Sequence, residues 1–140
     1  MKILVIIVGY LFFGYLTYLS LFVPAKADRE LKKGNFLKAF NYYRISGNKR
    51  KMKVAAHFIS NEFDKLEKKI ISKRISRKEL NRAIEYFPIV KVKYNIFLRL
   101  VELLFDRRDE VLISKLIDKI SKPAWEDILK KDLRRLQNAE

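Results

Sequence analysis

The chain has 140 residues, 31 Lys/Arg against 16 Asp/Glu, and a formal charge of +15. Hydrophobic residues make up 49% with only four Gly and three Pro, the balance of a folded helical domain rather than a disordered tail. No cysteine is present, which excludes disulfides, thiolate metal sites, cysteine nucleophiles and a lipidated N-terminal cysteine.

The first element is Ile3 to Val23, 21 residues without a charge. As a helix it would reach about 30 Å, the hydrocarbon thickness of a bilayer. Two expectations compete for it. Its length is that of a transmembrane anchor. The basic Met1-Lys2 start and the Ala25-Lys26-Ala27 exit are those of a signal sequence cleaved near Ala27. The organisation expected is therefore residues 1–27 as anchor or signal and residues 28–140 as a basic helical domain. Lys26 to Lys93 holds 20 basic and 7 acidic residues, whereas Tyr94 to Glu140 holds 10 and 9. With the positive charge directly behind the span, the positive-inside rule predicts a single-pass protein with a cytoplasmic body. Cleavage would instead yield a secreted or periplasmic protein.

Asp28 to Lys33 reads as a short helical segment ending at Gly34-Asn35. Phe36, Ala39, Phe40 and Tyr43 fall on one face of the next helix, which ends near Gly47. Met52, Ala55, Ala56, Ile59, Phe63, Leu66 and Ile70 keep helical period through the longest amphipathic run of the body. Ser76 and Glu79 form a capping box before Leu80, Ala83, Ile84 and Phe87, and Pro88 stops that helix. Tyr94, Phe97, Leu98, Val101, Leu104 and Phe105 predict the next one. Asp109 is a candidate N-cap for a stripe of Leu112, Ile113, Leu116, Ile117 and Ile120. Pro123 suits the first turn of a last helix carrying Trp125, Ile128, Leu129, Leu133 and Leu136. The fold class expected is all-α: an N-terminal transmembrane or signal helix, then about seven short helices.

Gly34 to Tyr43 aligns without gaps to Lys78 to Phe87, sharing a small residue (Ala39, Ala83) and a terminal aromatic (Tyr43, Phe87). A small residue lets a neighbouring helix approach, and the aromatic fills the next gap. At Gly34, Phe36, Ala39 and Tyr43 the chain resembles the tetratricopeptide repeat family, whose second helix commonly begins G-x-[YF]-x-x-A with an aromatic four residues later. Ala83 and Phe87 match in part, with Lys78 at the glycine position. A third unit would put Val111 at the small position and end at Pro123. The Ala-type positions lie 44 and then 28 residues apart, not the family's regular 34. The resemblance implies a small α-solenoid that binds a protein or peptide; an irregular helical bundle is the alternative.

Enzyme chemistry finds little footing. His57 is the only histidine, so neither a triad nor a multi-histidine metal site can be built on it. Capping explains Asp106, Asp109 and Glu110 more simply than a metal does. No cofactor motif is present and no metal is expected. Two basic clusters stand out, Lys49, Arg50, Lys51 and Lys53, and Lys73, Arg74, Arg77 and Lys78. They suit solvated helix ends, an anionic lipid surface or, less well, nucleic acid. The function expected is a non-catalytic interaction or scaffold module, anchored to a membrane of bacterial type. The alternatives are a nucleic-acid or anionic-surface binder, and an exported periplasmic helical protein.

Overall fold

A computed structural model describes residues 1–138, without the side chain of Leu136. Every regular element among the described residues is helical. The first helix, α1 (Lys2–Thr17), passes through one wide turn of π-helix (Tyr18–Phe22) into α2 (Val23–Lys32). The expected break between an apolar span and a separate short helix at Asp28 does not occur: helical structure runs unbroken from Lys2 to Lys32. Pro24 explains the wide turn. It has no N–H for the carbonyl four residues back, and a local π turn re-spaces the ladder around it. Here the Val23 N–H donates to the Tyr18 carbonyl, five residues back. Thr17 Oγ1 and Ser20 Oγ donate to the carbonyls of Phe13 and Thr17 at 2.9 and 3.2 Å, adding side-chain donors to the same region.

The chain divides into two compact units, Met1–Ile59 and Ser60–Glu140. Their boundary falls inside the long helix α4 (Lys49–Ile71). In the first unit, α2 packs against α3 (Phe36–Ile45), to which a three-residue turn joins it. The core there is a seam of small residues: Ala27, Ala39 and Ala55 are fully buried with Tyr43, and Leu31, Phe40, Tyr42 and Met52 close its sides. Val23, the last residue of the predicted span, is buried as well.

The second unit contains the end of α4 with α5 (Arg77–Tyr86), α6 (Tyr94–Asp106), α7 (Glu110–Lys119) and α8 (Pro123–Asn138). Helix α7 packs against α5, α6 and α8. Leu80, Ile84, Phe97, Leu100, Leu104, Ile113 and Leu116 are among the largest enclosed side chains of this unit. The Ser76–Glu79 capping box forms as predicted, and Asp109 caps α7 through the Leu112 N–H at 3.2 Å.

Two expectations about faces change. Helix α6 buries Ile96, Leu100 and Leu103 along with Phe97, Val101 and Leu104, while Leu98 and Tyr94 are exposed. Nine of its thirteen residues are apolar, enough to fill more than one stripe, and it is the polar face of Asn95, Arg99, Glu102 and Asp106 that marks the buried side opposite it. Val111, at the small position of the third repeat-like unit, is 68% exposed and does not repeat the buried setting of Ala39 and Ala83. Trp125 and Ile128 are half-buried and Leu129 is fully enclosed; Leu136 lies outside the described side chains.

Helices α2, α3, α4 and α6 end in one and the same backbone device. A residue with positive φ follows each (Gly34, Gly47, Lys73 and Arg108), and a pair of reverse hydrogen bonds closes the turn. For α2 these run from Gly34 N–H to Leu31 O and from Asn35 N–H to Glu30 O. This is the Schellman cap, which satisfies two otherwise orphaned carbonyls. Glycine at two of the four positions announced it in the sequence. Lys73 and Arg108 did not.

Candidate membrane-proximal surface and a lysine-rimmed cleft

The residues on Ile3–Val23 fall as expected of a span: from Ile3 to Phe22 none is buried. The helix Lys2–Lys32 is long and apolar enough to cross a membrane or to serve as a signal sequence. At the body end, the Lys26 ammonium donates to the Tyr18 hydroxyl at 2.9 Å and lies 5.2 Å from the centre of its ring. Tyrosine and a back-reaching lysine are the side chains that settle at a headgroup layer, where an apolar body and a polar tip both find partners.

Just beyond, Asp28 organises the joint with the body. Its carboxylate accepts a hydrogen bond from the Tyr43 hydroxyl and an ion pair from Lys51 Nζ at 3.2 Å. The Tyr43 bond, reinforced by Lys51, holds the Asp28 carboxyl below the usual range. Burial, with the Asp28 carboxylate beside it, pushes the Tyr43 phenol above its own. Tyr43 thus closes the alanine seam with its ring and ties α3 to α2 with its hydroxyl. Of the repeat-motif residues, Ala39, Tyr43, Ala83 and Phe87 are buried, Gly34 takes a φ of +81°, Phe36 is half-buried, and Pro123 opens α8.

The two basic clusters belong to different units. Lys49, Arg50, Lys51 and Lys53 occupy the exposed first turns of α4, beside the exposed Arg44 and Ile45 at the end of α3. In the second unit, Lys73 pairs with Glu102 at 3.7 Å and Arg77 with Asp109 at 2.7 Å, while Arg74 and Lys78 face solvent. The Arg77 guanidinium and the Leu112 N–H together keep Asp109 below the usual carboxylate range. Further ties bind the helices of this unit. Glu62 accepts from Tyr86 and from Arg82 (2.8 Å), and Lys115 reaches Glu85 and Asn81 at 2.7 Å each. His57 lies edge-on to Phe58 at 6.4 Å.

The second unit also holds a feature that sequence reasoning missed. Lys91, Lys119 and Lys122 line one cleft of about 380 Å³ together with Ser121, Phe87 and Trp125. Trp125 stacks on Phe97 at 4.3 Å, and the Lys122 ammonium lies over the Trp125 ring, also at 4.3 Å. An aromatic ring beneath one ammonium group, with two further lysines lining the same cleft, has the chemistry that suits a ligand with an apolar part and a negative charge. Lys91 lies in the segment before α6, Lys119 ends α7 and Lys122 precedes α8, so only folding brings the three lysines, 28 or more residues apart across the gap from Lys91, together. A more open groove of about 550 Å³ lies between α6 and α8, where Leu98, Val101, Phe105 and Ile128 form an apolar strip with Glu102 and Arg135 beside it. Among the described residues, no group of three carboxylate or imidazole side chains could hold a metal.

No protein-family profile matches this chain, and neither the curated proteins nor the solved structures contain a match to it.

Proposed function

We propose that this chain is a single-pass, membrane-tethered interaction module whose N-terminal helix is retained and whose helical body docks a protein or peptide partner without catalysis. One observation carries the reading. The helix that leaves the bilayer enters the body without a break, and its residues Val23 and Ala27 are part of the core. Cleavage after Ala27 would strip that cover from Ala39 and Tyr43. An exported protein has no use for a core that depends on its own signal sequence, so the packing supports the anchor over the periplasmic alternative. The charge distribution supports a cytoplasmic body, since the acid-free stretch Leu31 to Asn61 lies directly behind the span.

A tetratricopeptide-like arrangement of helix pairs is part of this proposal. It is supported by the matching burial of Ala39 and Ala83 and by the Gly34 turn, and weakened by the exposure of Val111. The partner surface is the second unit, where the lysine-rimmed cleft favours an acidic segment bearing an apolar side chain. Nucleic acid is the weaker reading, because Lys51, Lys73 and Arg77 already engage carboxylates. The deciding experiment is intact mass on the protein extracted from membranes after an alkaline carbonate wash. A chain that starts at Met1 and stays in the pellet supports the anchor. A soluble chain that starts at Asp28 refutes it.

A further inference from the structure

The geometry of the first unit fixes which part of the body meets the lipid. Helices α2 and α3 run antiparallel through a three-residue turn, and the Tyr43 hydroxyl bonds Asp28, so residue 43 stands level with residue 28. Each further residue of α3 moves about 1.5 Å back toward the span. Ile45 is therefore about level with Lys26, and the turn Ser46–Asn48 lies just beyond it, between the levels of Lys26 and Val23, the end of the apolar stretch. Helix α4 starts at this level and climbs away again, as the Lys51–Asp28 ion pair shows. Arg44, Lys49 and Arg50 are exposed beside that turn, and Ile45 is 54% exposed at its edge. A greasy side chain flanked by cations at the depth where a span leaves the hydrocarbon has one complementary surface, the anionic headgroup layer.

We propose that the α3–α4 turn is a lipid-contact site: Arg44, Lys49 and Arg50 hold the phosphodiesters of anionic phospholipids, and Ile45 enters the boundary between headgroups and acyl chains. The site rests on the retained anchor proposed above. It makes the body dock onto the bilayer at a second point, beside the span, and so fixes its orientation. Basic residues near an anionic surface contribute on the order of a fivefold gain in occupancy each.

The absence of cysteine allows single-site labelling without background. Full-length protein carrying a nitroxide at Ile45→Cys, Lys33→Cys or Phe12→Cys would be placed in nanodiscs of pure phosphatidylcholine and of phosphatidylcholine with phosphatidylglycerol. Accessibility to a water-soluble nickel chelate and to oxygen is then read for each label. The expected result is a Phe12 label buried in the hydrocarbon in both lipids and a Lys33 label open to the chelate. The Ile45 label should be several-fold less open than Lys33, and further shielded by the anionic lipid. Lys49→Glu with Arg50→Glu should remove that lipid dependence. An Ile45 label as open as Lys33 in both lipids overturns the contact while leaving the anchor standing. A Phe12 label open to the chelate overturns the anchor and the contact together.

Discussion

A chain beginning at Asp28 is the sharpest perturbation of the joint between span and body. It removes the buried Val23 and Ala27 and leaves five of the ten residues of α2. Losing the Val23 side chain removes about 1.5–3 kcal/mol of apolar burial, and the Ala27 methyl about 0.8 kcal/mol more. Five residues are also too few to hold a helix by themselves. The expected loss is about 3 kcal/mol, borne by the first unit, whose small core includes the cluster Ala27, Ala39, Tyr43 and Ala55. That corresponds to about a hundredfold faster opening of α3. Hydrogen exchange read by mass spectrometry, comparing the truncated chain with the full chain in detergent, measures it directly. Amides of Phe36–Ile45 should lose protection, while those of Tyr94–Asp106 and Glu110–Lys119 should not change. If α3 kept its protection to within about threefold, α2 would be dispensable and the argument for a retained anchor would fall.

Three other outcomes follow from the same structure. Arg108→Gly should stabilise the protein by about 0.5–1 kcal/mol in thermal unfolding, because a left-handed φ of 51° strains an arginine more than glycine's freedom costs the unfolded chain. Asp109→Ala should cost about 1 kcal/mol near neutral pH, through the lost cap of α7. Because Asp109 has its carboxyl lowered from 3.8 by Arg77 and the Leu112 N–H, its contribution is present above that value and lost as pH falls through the depressed one. Urea unfolding of the wild type and the variant should therefore converge toward pH 2 and diverge toward pH 6. Trp125, the only tryptophan, should be quenched more by iodide than by caesium, and Lys122→Gln should narrow the difference; equal quenching by both ions would argue against an electropositive cleft.

Local chemistry was the legible part of this fold. The Ser76–Glu79 box, the Asp109 cap, the Gly34 and Gly47 turns and the stripe from Ala55 to Ile70 each depend on residues within a few turns of one another. The joint at Pro24 was not legible, because the Ala25-Lys26-Ala27 exit and the separate segment at Asp28 read as a break just after the proline. A π turn absorbs it instead. The facing of α6 was blurred by its nine apolar residues, which fill more than one stripe, and the Lys91–Lys119–Lys122 cleft was hidden by the sequence distance between its lysines. The left-handed turns at Lys73 and Arg108 carry no glycine, so nothing in composition marks them.

The π turn at Tyr18–Phe22 has a consequence for azimuth. A five-back hydrogen bond accommodates one residue more than a regular turn, and each residue of a helix advances the phase by about 100°. Everything after Phe22 is thus rotated about the helix axis relative to a regular continuation of α1. Since α2 is packed into the first unit, that phase also sets which side of the span lies under the α3–α4 turn. Deleting one residue here, Ser20 for instance, would remove the extra residue together with the wide turn and leave the body at nearly the same azimuth, whereas returning these five residues to regular α-helix at unchanged length would swing it about the helix axis by roughly a quarter turn. A neighbouring helix in the bilayer would then meet a different stripe of α1 for the same placement of the body.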